Sequence, residues 1–282
     1  AEPQPQPAQA DPAVLMRRML ELFTAGKYDE AIPVSKQLIA AFDQMGMREH
    51  PMQASNHAAL ANLYRFTGDF AESERSQRRA LAIREKAFGG EHPEIATSLD
   101  DLHQLASSQG RYADAERLLA RALAMREKLL PGDHQDLAMT RISVARLHAL
   151  QGRHDQAEPL IRNALEIFRL KLGPEHPYVG VAVNNLADAL SALGRYGEAE
   201  TLLKTAVELT EKATGPASPL AATALSNLSE VYRHQGRLAE AEELRRREIA
   251  ILEASAGPDN PGIARSLSNF GTLLSAQRRP KE

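Results

Sequence analysis

Four histidines, His50, His92, His134 and His176, recur at steps of 42 residues, and each follows an acidic neighbour: Glu49, Glu91, Asp133 and Glu175. An imidazole beside a carboxylate is the raw material of an acid/base pair or of a metal site. Spacing argues against both. Equivalent positions on successive units of packed helices lie about 8 to 10 Å apart, whereas two ligands of one zinc ion must each approach to about 2.1 Å. The same positions further along hold Ser218 in "GPASP" and Asn260 in "GPDNP". Serine and asparagine are good helix N-caps, and each is followed by a proline, Pro219 or Pro261, which loses no hydrogen bond in a first turn. The favoured reading is therefore punctuation at the mouth of a helix. His57, His103, His148, His154 and His234 are scattered over helix positions, where core or surface roles are expected.

No other motif supplies chemistry. The chain has no cysteine, so it lacks disulfides, thiolate metal sites and a thiol nucleophile. It contains no G-x-S-x-G, no H-E-x-x-H, no phosphate loop ending in Lys-Ser/Thr and no acidic calcium loop. Neither enzyme activity, a cofactor nor a metal is expected.

The elements that position these histidines follow from an internal repeat. "GKYDEA" at Gly26, "GDFAES" at Gly68, "GRYADA" at Gly110, "GRHDQA" at Gly152, "GRYGEA" at Gly194 and "GRLAEA" at Gly236 are each 42 residues apart. Between glycines the periodicity is helical. Val179, Ala182, Val183, Leu186, Ala187, Leu190 and Leu193 form a single stripe, Gly194 ends it, and Ala199, Leu202, Leu203, Ala206 and Val207 form the inner face of a second helix. The unit is a helical hairpin, repeated six times and followed by one terminal helix.

Composition sets the outer limits. Of 282 residues 43% are hydrophobic and 25% charged, enough apolar content for a core. A net charge of −3 gives no reason to expect nucleic acid, and no apolar run reaches the roughly 18 residues that insertion into a bilayer needs. Residues 1–11 read as a flexible Pro/Gln-rich leader and residues 12–282 as the repeat domain, with unit boundaries near 51, 93, 135, 177, 219 and 261. A start at Ala1 suits an exported or periplasmic protein whose signal has been removed, and a trimmed polypeptide would read the same.

The G-x-[YFHL]-x-x-[AS] signature resembles that of tetratricopeptide repeats. So do the small residues Ala61, Ala145, Ala187, Ser229 and Gly271 on the first helix, and Ala80, Ala122, Ala164 and Ala206 on the second. The 42-residue period resembles kinesin light chains. The resemblance implies an all-α, right-handed superhelical solenoid that binds a partner protein or extended peptide in its concave groove. Carried over position by position, the groove residues are Asn62; Asp100 and Asp101; Met139, Ile142 and Arg146; Asn184, Asn185 and Asp188; Asn227, Glu230 and His234; and Arg265 and Asn269.

Asn185, Asn227 and Asn269 form a ladder able to pair with a peptide backbone, while solvation or a bond to a neighbouring helix would account for them equally. Met139 and Ile142 read as an apolar anchor for a ligand with basic flanks, or as packing residues. The carboxylate clamp of chaperone-binding members is incomplete: Asn227 and Arg265 match it, but Asn184, Asp188 and Asn269 occupy its other positions. The acidic residues also depart from the basic groove that acidic cargo of kinesin light chains would need. Two further roles are a regulatory or targeting arm of a larger protein and self-association through the last helix. In that helix Leu267, Phe270 and Leu274 need a cover, and Arg278 stands where the next glycine would fall.

Overall fold

The computed structural model describes residues 11–256 and 261–277. Asn260, Arg278 and leader residues 1–10 lie outside these. Thirteen helices and no strand make up the described residues. The chain divides into two compact units, Ala1–Pro131 and Gly132–Glu282. Unit 1 contains α1 (Pro12–Thr24), α2 (Tyr28–Gln44), α3 (Pro51–Thr67), α4 (Phe70–Phe88), α5 (Pro93–Ser108) and α6 (Tyr112–Leu129). Unit 2 contains α7 (Gln135–Leu150), α8 (His154–Leu172), α9 (Pro177–Ala192), α10 (Tyr196–Thr214), α11 (Pro219–His234), α12 (Leu238–Ala256) and α13 (Pro261–Ala276). Within each unit every helix packs on the next, and in unit 2 α9 also touches α7 and α11.

The recurrent histidines are helix caps. Nδ1 of His50, His92, His134 and His176 accepts the backbone N–H of Met52, Glu94, Asp136 and Tyr178 at 3.2, 3.2, 3.1 and 3.2 Å. Ser218 Oγ accepts from the Ala221 N–H at 3.2 Å. Each bond satisfies one of the first-turn donors that a helix leaves unpaired. Glu175 is engaged elsewhere, accepting from Lys212 Nζ at 2.8 Å. At the far end of α9, Gly194 takes φ +75° and lets the Arg195 N–H reach the Leu190 carbonyl at 2.8 Å. That left-handed turn suits glycine because it has no Cβ.

The two units are filled differently. In unit 2 the stripe of α9 (Val179, Ala182, Val183, Leu186, Ala187, Leu190) and the inner face of α10 (Ala199, Leu203, Ala206) join a single apolar cluster reaching from Ala138 to Leu273. Unit 1 contains smaller clusters, such as Leu15 with Leu38 and Phe42, and Ile95 with Leu99 and Met125. Between them run hydrogen-bonded polar side chains. Gln53 Nε2 donates to the Ile39 carbonyl at 2.9 Å and to Asp43 Oδ1 at 2.7 Å. Arg84, itself buried, donates to Ser98 Oγ at 2.5 Å and Glu94 Oε2 at 3.1 Å. Helices cross closely at the small positions: Ser73 Oγ donates to the Ala61 carbonyl and Ser229 Oγ to the Ala241 carbonyl, both at 2.8 Å.

On the surface, ion pairs recur at a spacing of 37 residues. Arg111 meets Glu74 at 2.5 Å, Arg195 meets Glu158 at 2.7 Å and Arg237 meets Glu200 at 2.8 Å. Lys128 likewise pairs with Glu91, and Lys212 with Glu175. Exposed pairs contribute about 0 to 1 kcal/mol each, so they mark the register of neighbouring hairpins more than they hold them. On α13, Leu273 and Leu274 are buried and Phe270 packs on the cluster, while Leu267 stays 50% exposed. Among the described residues no helix is long and apolar enough to cross a membrane.

Candidate partner-binding face

The candidate residues of unit 1 are largely engaged. Asn62 on α3 is exposed. On α5, Asp100 pairs with Arg126 at 2.5 Å, and Asp101 accepts from Gln77 Nε2 at 2.5 Å. Burial pushes the Asp101 carboxyl above its usual range, and the neighbouring Asp100 adds to that, against the Gln77 hydrogen bond. These two carboxylates tie α5 to α6 and α4, so they offer little charge to a ligand.

Unit 2 differs. Ile142 on α7, read from its register as a groove anchor, is only 2% exposed and belongs to the core cluster; that expectation is corrected. The cause lies in α7 itself, which buries Leu137, Ile142 and Leu147 on more than one face because α8 and α9 both pack on it. Met139 is half-buried against the same cluster. Leu150, at the end of α7, is the exposed apolar residue there.

Arg146 of α7 and Asn185 and Asp188 of α9 line one open recess of about 260 Å³, together with Ala145, Ala149, Leu150 and Ile161. Neither Arg146 nor Asp188 forms an ion pair among the described residues. Asp188 is exposed, yet the protein atoms crowded around it push its carboxyl up to about 6. The open side screens part of that effect. Asn185 uses one amide N–H on its own helix, donating to the Val181 carbonyl at 2.9 Å, so the asparagine ladder is in part self-bonded. Asn184 is half-buried, and its Oδ1 is buried with no hydrogen-bond partner among the described residues.

On α11, Asn227 is half-buried. Glu230 accepts from Arg233 at 2.5 Å, and that bond holds its carboxyl below the usual range. His234 Nε2 lies 3.2 Å from Glu230 Oε1, and its ring stacks on Tyr196 with centroids 5.2 Å apart. Arg265 and Asn269 are exposed on α13. Among the described residues no group of three or more histidine and carboxylate side chains is arranged to hold a metal ion.

Comparison with known proteins decides the lineage. The Tetratricopeptide repeat family model matches residues 21–86, 52–128, 136–212 and 220–282. The chain belongs to the tetratricopeptide repeat family. Such repeats form a scaffold fold for protein–protein contact. This tetratricopeptide repeat chain is similar to the solved putative kinesin light chain of Podosopora anserina with nearly identical TPR-like repeats. The two share 26% identity over 73% of this chain and 97% of that one, with a TM-score of 0.65. BtubC (BKLC) from P. vanneervenii shares 20% identity over 83% and 94% of the two chains at a TM-score of 0.70. The apo quorum sensor NprR from B. thuringiensis shares 14% over 94% and 71% at 0.75. At these identities the last two show the repeat fold alone. No curated protein matches the chain.

Periodicity alone passed over two positions of this tetratricopeptide repeat chain, Gly180 and Thr210, which line a second, apolar pocket. The signal was available in the repeat register, since other repeats carry larger residues at both places.

Proposed function

We propose that the chain is a non-catalytic interaction scaffold that holds an extended segment of a partner protein along the exposed face of α7, α9, α11 and α13. The carrying observation is the recess of unit 2, where Arg146 and Asp188 stand beside Asn185 with neither charge paired. An unpaired charge at an open recess attracts a ligand group of opposite sign, and Asn185 adds hydrogen bonding. Leu150 takes the place of Ile142 as the apolar contact. The ligand class is therefore a polypeptide with a basic residue for Asp188 and an apolar neighbour, and the site needs no cofactor or metal.

A peptide-display library panned on the full chain tests this. Enriched peptides should contain Lys or Arg, and Asp188→Asn should weaken them at least tenfold. Their binding should fall as the pH drops through about 6, because protonation removes the negative charge. Enrichment no better than on an unrelated helical protein would count against the scaffold reading. Self-association is a second reading, motivated by Leu267 on α13. A mass by light scattering that stays monomeric at all concentrations would remove it.

A further inference from the structure

The repeats of this chain carry an alanine at one fixed position of the first helix. Ala54, Ala96, Ala138 and Ala222 occupy it, all buried, as does the exposed Ala264 of α13, and the fifth repeat has Gly180 instead. A second fixed position, near the end of the second helix, carries Phe42, Arg84, Arg126, Phe168 and Leu252, and in the fifth repeat Thr210. Two of these large residues reach the next hairpin. Arg84 binds Glu94 at 3.1 Å, and Phe168 meets Tyr178 with ring centroids 5.5 Å apart. Thr210 cannot reach as far. Its hydroxyl donates back to the Ala206 and Val207 carbonyls at 2.8 and 3.0 Å, which spends its polar group on its own helix.

The two reductions coincide in space. Gly180 and Thr210 line the same pocket of about 70 Å³, walled mainly by apolar atoms of Val179, Val183, Leu209 and Leu220. A Cβ built on Gly180 would meet nothing within 4 Å, so the missing methyl faces open space and not a neighbouring backbone. Asn184, one turn along α9 from Gly180, lines the pocket too, and its Oδ1 is buried without a donor among the described residues. A buried acceptor left unpaired is unfavourable by about 1 to 3 kcal/mol, so the site is improved by an occupant that brings an N–H.

We infer that this pocket is an anchor subsite for a branched aliphatic side chain, valine- to leucine-sized, of the bound partner segment, whose backbone N–H donates to Asn184 Oδ1. The size follows from the volume: a cavity of about 150 Å³ holds benzene, so a pocket of about half that takes a few carbon-sized groups and rejects an aromatic ring. The class follows from the mainly apolar lining, with the unpartnered amide oxygen of Asn184 among its few polar groups. The occupant's being a polypeptide rests on the scaffold reading above. Exposed Val181, on the neighbouring surface of α9, extends the apolar contact outwards.

The test separates the subsite from the wider face by using a minimal probe. N-acetyl-leucine-N-methylamide is titrated into the isotope-labelled full chain and followed by NMR, with the glycine, lysine and phenylalanine analogues alongside. With thirteen non-hydrogen atoms at drug-like efficiency the leucine probe should bind with a Kd of about 1 mM. Saturable shifts are expected at Gly180, the Asn184 amide and the Leu209 methyls, at least fivefold weaker for the other three probes. Gly180→Leu and Thr210→Phe, which refill the pocket in two independent ways, should each abolish them, provided circular dichroism shows a native fold. Asn184→Ala should weaken them while leaving the aliphatic preference. No saturable shift, equal response to the glycine probe, or binding that survives both filling variants overturns the subsite, whatever peptide panning shows. Failed panning with a positive leucine titration would instead leave the pocket standing and remove the extended partner.

Discussion

The hairpin junctions of unit 1 and the surroundings of α9 in unit 2 are built from opposite materials, although α12 and α13 of unit 2 also meet through a buried polar set, Arg245, Glu248 and Ser266. In unit 1 the junctions between hairpins run through Gln53, Gln77 and Arg84, each hydrogen-bonded to a carboxylate or a carbonyl. In unit 2 the corresponding space around α9 is hydrocarbon, with Phe168 where Arg84 stands two repeats earlier. A hydrogen-bonded junction fixes geometry but leaves nothing spare for a ligand, because each donor must keep its acceptor. A hydrocarbon junction tolerates size changes, and a smaller residue leaves a space that something else can occupy. This contrast explains why the free charges and both pockets proposed for binding lie in unit 2, while the acidic pair of unit 1 is tied to its own helices.

The comparison can be broken at its strongest point first. Phe168→Ala should cost about 3 to 5 kcal/mol, since the ring is fully buried. Urea unfolding followed by circular dichroism reads this as a lower midpoint. Arg84→Ala should cost about 2 kcal/mol by leaving Ser98 and Glu94 without their donor. The double change Arg84→Met with Ser98→Ala, which imports the material of unit 2 into unit 1, should recover most of that loss. If it does not, polar junctions are obligatory in unit 1 and the contrast is deeper than composition.

Smaller effects sharpen the picture. His176→Ala should destabilise by about 1 kcal/mol through loss of the cap, and His176→Ser should be near neutral, as Ser218 already caps α11. Least of all, Asp188→Asn should change the pH dependence of stability. The folded carboxyl binds its proton more tightly than the unfolded one, so its contribution is present at low pH and lost as pH rises from about 4 through about 6. The asparagine variant lacks this contribution, so the stability difference between the two proteins should change across that window by less than about 1 kcal/mol, because the recess is open to water. Thermal melts between pH 4 and 7 check it.

The repeat register, the hairpins and the caps were readable in the sequence because each rests on local rules: a 3.6-residue stripe, a glycine after it, and a capping side chain before a first turn. The face was readable only in outline. Ile142 fell on the outward register, yet α7 is apolar on more than one side, and a single-stripe rule does not say which side wins. Gln53 and Asn56 are polar and buried, a choice that depends on partners 10 or more residues away, or on one another across a helical turn. The pocket at Gly180 was encoded as a departure from the repeat average, invisible in any one repeat read alone. His176 and Glu175, together a plausible reactive pair, turn out to serve different neighbours, one the start of α9 and the other Lys212.

The ion pairs spaced 37 residues apart have a consequence for how such a chain can change length. Because every carboxylate of the series looks to the cation of the following hairpin, excising one full 42-residue period joins a Glu to an equivalent Arg or Lys and restores the pattern. Excising 41 or 43 residues rotates the next helix by about 100°, so the carboxylate and cation that bridge the join no longer meet and the apolar stripe there turns towards water. Recombination between equivalent codons is thus silent in register while slippage is not, and the gene can gain or lose whole hairpins as units.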